Sequence, residues 1–262
     1  MSQNFFEEIN NISQLEKSLE DKAKNHQNYS FYCKGKYKES NIKNGIRFAT
    51  GCEWNDTIDS KNLFDNEYVR FIKCFTYLRS ENIAMWMLYS GLDDKGVMFK
   101  YTKNQILWIM NYNSPLTICL GENDKIVELT SDKYKLKITD IAYVDYIHDN
   151  KSNENLYIKR SDNSRKYPIK SFSSFDFDNY KFPIYVKTAG WSYENECRII
   201  IEIKKKDIPN FEEKKNYYIW IPIDNKNTKI VLSPKYKGDI GLGEEYSKYK
   251  NKLEWDLSKD KN

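Results

Sequence analysis

The chain has 262 residues, 31% charged and 40% hydrophobic, with a formal net charge of +4. That length suits one globular unit with a single large core or two lobes, and the 15% aromatic content is enough to fill it. A mean hydropathy of −0.80, with no apolar run near the ~20 residues of a bilayer span, argues against a membrane protein, and a charge of +4 permits an anionic partner without demanding one.

The first residues, MSQNFFEEINN, carry acids where a secretory signal has a basic flank and a long apolar stretch, so the expected location is cytoplasmic. Five cysteines, Cys33, Cys52, Cys74, Cys119 and Cys197, include no CxxC pair. Only His26 and His148 are available to help them, which argues against structural zinc.

In chain order, Phe5, Ile9, Ile12, Leu15 and Leu19 recur at three- and four-residue steps. The spacing predicts an amphipathic helix within residues 1–28, free to pack on the body or to dock a partner protein. Residues 29–262 read as a single α+β domain. YSFYCKG predicts an aromatic strand, and NIKNGIRFAT a brief helix, a turn at Gly45 and a second strand. A loop with Trp54, Asn55 and Asp56 follows, then a buried strand in VRFIKCFTYL. Ser80 is placed to cap a helix over ENIAMWMLYS, on which Trp86 and Tyr89, three apart, share a face. Gly91 and the DDKG turn lead into the strand GVMFKY, after which Thr102 caps KNQILWIMNY.

YKLKITDIAYVDYI is strand-like, and the polar residues 148–166 read as an exposed loop. Strands are predicted over residues 198–204, 217–223 and 229–232, with Pro209 and Pro222 as breaks, and a charged helix over 243–255. The expected fold is α+β, with a mixed, mostly antiparallel, two-lobed sheet core and flanking helices.

Several chemistries find little support. GLGEE at 241–245 lacks the βαβ frame of a phosphate cradle, and neither histidine has a nucleophile motif nearby. Glu202 and Lys204 share one face of a predicted strand, as in a metal-dependent nuclease, but no clear upstream Pro-Asp acid on a neighbouring strand accompanies them. Taken singly, Trp86, Tyr89 and Trp191 read as core aromatics, and Glu194 and Glu196 as a strand-entry pair.

Taken together and in order, Trp54-Asn55-Asp56, Met85-Trp86-Met87-Leu88-Tyr89 with Lys95-Gly96, and Trp191-Ser192-Tyr193-Glu194-Asn195-Glu196-Cys197-Arg198 resemble a bacterial family of unassigned function. That family shows F-N-D-P, M-W-x-x-Y and W-x-x-E-x-E-x-R motifs and is often encountered near phage-defence genes. The likeness covers roughly residues 29–245, and Thr57 stands where the family has proline.

The order of elements is similar to that of ADP-ribosyltransferases, and the resemblance implies NAD as substrate and a protein or nucleic acid as acceptor. It implies Glu196 as the carboxylate that stabilises the oxocarbenium-like cation. Glu194, on the same side of an extended segment, would orient or deprotonate the acceptor. Tyr32, Trp86 and Tyr89 would hold the nicotinamide end, and Arg198 would meet a pyrophosphate or a structural carboxylate. Many relatives carry a basic residue after the first-strand tyrosine. Here Cys33 follows Tyr32, so either Lys34 supplies the donor or NAD binding is weakened. The expected function is ADP-ribosyl transfer or NAD hydrolysis in a defence or toxin-like setting; the alternative is a non-enzymatic interaction module docked through the N-terminal helix.

Overall fold

The structure, a computed structural model, describes residues 12–50, 67–79, 82–90, 95–121, 124–147, 155–159, 166–168, 182–224, 228–233 and 253–254. The fold is α+β and its sheets are mostly antiparallel. The strands are β1 (Asn28–Cys33), β2 (Ile46–Ala49), β3 (Tyr68–Thr76), β4 (Val97–Thr102), β5 (Leu116–Leu120), β6 (Asp124–Leu129), β7 (Tyr134–Asp140), β8 (Ala142–Ile147), β9 (Asn155–Lys159), β10 (Lys166–Pro168), β11 (Val186–Thr188), β12 (Glu196–Lys204), β13 (Tyr217–Ile221), β14 (Lys229–Leu232) and β15 (Leu253–Glu254). The α-helices are α1 (Ile12–Ala23), α2 (Lys38–Asn44), α3 (Ile83–Met85), α4 (Lys103–Met110) and α5 (Phe182–Tyr185). Among the described residues no helix is long and apolar enough to cross a membrane.

The chain divides into two compact units: residues 1–25, 48–73 and 113–219 form one, and residues 26–47, 74–112 and 220–262 the other. In the first, β12 runs antiparallel along β7 from Cys197↔Asp140 to Ile203↔Tyr134. Consecutive buried residues Ile199, Ile200 and Ile201 show that both faces of β12 are covered, which is why its sequence is a run and not an alternation. Helix α1 lies on β7 with Leu15, Leu19 and Ala23 buried, and Lys22 Nζ stands 3.5 Å from the buried Asp140 carboxylate. The apolar face read as a possible partner-docking stripe is therefore already covered over its described part. β13, β5 and β6 form a further antiparallel run, and β10, β9, β8 and β11 a separate small sheet in which β8 and β11 are parallel.

Strand β9 lies inside residues 148–166, where an exposed loop was expected. Asn155–Lys159 is too short to display a period of its own, and it acquires its conformation by pairing with β8, with Val144 opposite Ile158.

In the second unit the strand order is β15-β14-β4-β1, and β1 also pairs with the last residue of β3 at Ser30↔Thr76. β1 pairs with β4 from Asn28↔Thr102 to Cys33↔Val97, so the alternating Tyr29 and Phe31 lie on the same face as Phe99 and Tyr101. Phe31 stacks on Phe99 at 5.0 Å and meets Phe75 edge-on at 6.0 Å. Thr102 and Gln105 form a full capping box at the start of α4. Gly45 closes α2 at φ 92°, ψ −141°, and a Cβ there would overlap the Ile221 carbonyl oxygen and stand 2.8 Å from the Pro222 Cα.

Two expectations change in this unit. Asn82 caps the Met-Trp segment, its side-chain oxygen accepting from the backbone N–H groups of Ala84 (2.9 Å) and Met85 (3.4 Å), while Ser80, the expected cap, lies outside the described residues. After α3 the segment tightens no further but widens into a π-turn over Trp86–Ser90, in which the Ser90 hydroxyl donates to the Trp86 carbonyl. The charged helix predicted over 243–255 is contradicted at its described end, because Leu253–Glu254 is strand β15, parallel to β14 with Leu253 opposite Ile230. The remainder of that segment lies outside the described residues.

Candidate active site

The first unit carries the glutamates. β11 delivers Lys187, a short 3-10 turn over Ala189–Glu194 delivers Glu194, and β12 begins at Glu196. Glu194 does not sit on an extended segment with Glu196, as the two-residue spacing suggested. Asn195 between them adopts φ 44°, the left-handed region that asparagine tolerates, and this breaks the strand one residue early. The kink nonetheless aims both carboxylates at one cation. Lys187 Nζ lies 2.8 Å from Glu194 Oε2 and 2.7 Å from Glu196 Oε2.

Arg198, two residues further along β12, donates from Nε to Glu196 Oε1 at 2.6 Å, from Nη2 to Glu196 Oε2 at 3.3 Å, and from Nη1 to the Ile184 carbonyl at 3.3 Å. The Glu196 backbone N–H donates to the Tyr143 hydroxyl at 2.8 Å, and its carbonyl accepts from the Ile141 N–H at 3.1 Å. Of the two partners named for Arg198, the structural carboxylate is the one in place. Two carboxylates, one ammonium and one guanidinium sum to no formal charge, and all four side chains are buried, from 1% exposed for Arg198 to 7% for Lys187. Buried ions persist only when paired in this way.

Trp191 stands at the rim, half-buried, with the Lys187 ammonium 5.4 Å from its ring centre. Burial, then the Glu194 charge, push the Tyr193 hydroxyl pKa upward against the opposing Lys187. Lys187 and Tyr143 were not picked out from sequence. A lysine directly after the apolar run Ile184-Tyr185-Val186 was the available signal for Lys187; nothing distinguished Tyr143 among 21 tyrosines.

The second unit carries the other candidates. Tyr32 is buried on β1, its hydroxyl accepting from the Asn82 N–H at 3.0 Å and its ring meeting Trp86 edge-on at 4.7 Å. The structure therefore brings Tyr32 and Trp86 together. Trp86 is buried while Tyr89 is half-buried; in a π-turn more residues complete each turn than in an α-helix, so a three-residue step no longer returns to the same face. Cys33 is buried, its thiol donating to the Lys34 carbonyl at 3.2 Å and accepting from the Asn41 amide at 3.9 Å. Lys34 follows the strand end and is exposed. Asn55, Asp56, His148 and the GLGEE segment lie outside the described residues.

The Glu-x-Lys pair of β12 is already committed. Glu202 accepts from Arg70 Nε at 3.0 Å and meets Lys137 Nζ at 2.7 Å, and Lys204 Nζ lies 3.7 Å from Glu67. Among the described residues no group of His, Cys, Asp and Glu side chains is arranged to hold a metal ion. Glu202 is thus held by two cations, Arg70 and Lys137.

No curated protein and no solved structure matches the chain. Residues 85–199 match the model of a family described as "Protein of unknown function (DUF2971)". The matched stretch opens on the Met85-Trp86 step and closes one residue after Arg198, so it holds Tyr89 and the whole Lys187–Glu194–Glu196–Arg198 cluster, and it is to this family of unknown function that the chain is similar.

Proposed function

We propose that the chain cleaves the nicotinamide–ribose bond of NAD and transfers ADP-ribose to a macromolecular acceptor. The supporting observation is the fixing of Glu196, whose two oxygens are held by Arg198 and Lys187 at 2.6 and 2.7 Å. A carboxylate oriented before substrate arrives stabilises a developing ribosyl cation without reorganising solvent at the moment of reaction. In the proposed step the C1′–N bond breaks, neutral nicotinamide leaves with the bonding pair, and an acceptor oxygen or nitrogen bonds to C1′ and gives its proton to Glu194. Water as acceptor gives hydrolysis instead. Tyr32, Lys34, Trp86 and Tyr89 are assigned to NAD, with Lys34 the donor in the place where relatives carry a basic residue after the tyrosine. This assignment requires Glu196, 4% exposed, to be uncovered when NAD binds.

A second reading, a non-enzymatic interaction module, is favoured by that same burial. On it the four charges are a structural clamp joining β11 to β12, and Glu196 never meets a ligand.

One experiment separates them. The protein and its Glu196→Gln variant are incubated with NAD labelled on the adenylate phosphate and a cell lysate, and NAD binding is followed by calorimetry. Label attached to protease- or nuclease-sensitive product by the wild type alone supports transfer, and free ADP-ribose alone supports hydrolysis. No turnover and no NAD binding by a folded protein sinks the enzymatic reading.

A further inference from the structure

Three buried side-chain oxygens have no hydrogen-bond partner among the described residues: Ser30 Oγ, Asn41 Oδ1 and the Tyr101 hydroxyl. Two of them converge. On β1 and β4, Tyr29, Phe31 and Cys33 share a face with Tyr101, Phe99 and Val97, while Ser30 lies on the other face. Tyr101 stands opposite Tyr29 in register, yet its ring stacks on Phe31 at 6.0 Å, one step nearer Cys33. Phe75 meets the same ring edge-on at 6.2 Å. The side chain therefore leans along β1 toward the Cys33 end of the face.

Asn41 reaches that end from α2. Its Nδ2 donates to the Tyr37 carbonyl at 2.7 Å and to the Cys33 sulfur at 3.9 Å. These bonds fix the amide, because turning it over would set Oδ1 against the Tyr37 carbonyl oxygen, acceptor against acceptor. Asn41 is 5% exposed and Tyr101 1%. Leaving a buried acceptor and a buried hydroxyl unmet is costly, and protein interiors meet such groups with protein atoms or with ordered water. Tyr101 keeps its proton for such a bond: burial first, then the charge of a Cys33 thiolate, push its pKa above the ordinary phenol value. The groups that gather here are a hydroxyl, an amide and a thiol, and the rings beside them are apolar. A guest that suits them is small, uncharged and both donor and acceptor.

We propose that one water molecule is held between α2 and the β1–β4 face, accepting from the Tyr101 hydroxyl and donating to Asn41 Oδ1, with its second proton toward the Cys33 sulfur. The water ties α2 to β4 through the interior. This site is independent of the NAD reading, since it needs neither NAD nor the glutamates.

The test is a double-mutant cycle on the full chain, Tyr101→Phe, Asn41→Leu and both together, read by urea unfolding, with a crystal structure of the wild type. Tyr101→Phe removes one oxygen. If that oxygen holds a water, the folding equilibrium constant should fall roughly fivefold; if it is an orphan, removing it leaves stability unchanged or higher. In the Asn41→Leu background the water has lost its other anchor, so the same change should cost less than about twofold. The crystal should show solvent density within about 3.2 Å of both oxygens. Unchanged or raised stability in Tyr101→Phe overturns the proposal, as does a cycle whose losses simply add. Absence of density between the two oxygens, or a protein group bonded to either, overturns it as well, and that readout decides alone should Asn41→Leu fail to fold.

Discussion

At the scale of the residue, charge pairing dictates what each ionisable group can do. Lys187 is the common partner of Glu194 and Glu196, and its removal leaves two buried carboxylates facing one guanidinium. Lys187→Met is expected to cost about 3–5 kcal/mol in urea unfolding, the range for breaking a buried pair, and adding Glu194→Gln should recover part of it. Losses that simply add would show that the two side chains are not coupled. Glu202 offers a pH-dependent counterpart. Burial alone would raise its carboxyl pKa, but the hydrogen bond and charge of Lys137 and the charge of Arg70 outweigh it and hold the pKa below the ordinary 4.5. The unfolded chain therefore takes up this proton at a higher pH than the folded one. The stabilisation is complete above the ordinary carboxylate value and is lost as pH falls through the lower folded value. Glu202→Gln should flatten the acid limb of stability below about pH 4.5, read from urea midpoints, and an unchanged slope would remove Glu202 from the account.

At the scale of the element, the local chemistry of caps and turns was readable wherever it was self-contained. The Thr102 cap and the Gly45 turn were both visible in sequence because each satisfies backbone groups within a few residues, whereas the return bond from Gln105 that completes the capping box appears in the structure. The Met-Trp segment was not legible in this way, since its cap, Asn82, is itself held by a bond from its N–H to the Tyr32 hydroxyl, fifty residues away in sequence. Gly45 supplies a graded prediction. Gly45→Ala adds a Cβ against Ile221 and Pro222 in a backbone conformation open essentially to glycine, whereas Gly121, at φ 69°, has nothing within 4 Å. Gly45→Ala should lower the melting temperature well beyond Gly121→Ala, whose cost is only the left-handed strain of about 1 kcal/mol. Equal shifts would mean that the chain near Pro222 yields to the added methyl.

At the scale of the molecule, neither compact unit is a continuous stretch of chain, since residues 48–73 return to the first after 26–47 have gone to the second. The fragment 113–219 holds the charge cluster but lacks α1, which covers β7, and lacks Arg70, which pairs Glu202. Expressed alone it should show no cooperative unfolding by circular dichroism. A sharp transition would show that β7 and β12 need neither partner.

The α+β class, most strand positions from β1 to β4, and the glutamate pair were legible because local periodicity, turn chemistry and motif spacing are properties of neighbouring residues. The polar stretch holding β9 and the end holding β15 were misread, because strands of five and two residues have no period and take their conformation from the strand beside them. The candidate site divides the same way. Residue types and order could mark Glu194, Glu196 and Arg198 as belonging together, yet the ammonium that joins the two carboxylates comes from β11 and the bond to the Glu196 N–H from Tyr143 on β8. Sequence supplies charges in order along a line; which of them meet, and which are buried and paired, is decided by the packing of strands distant in that line.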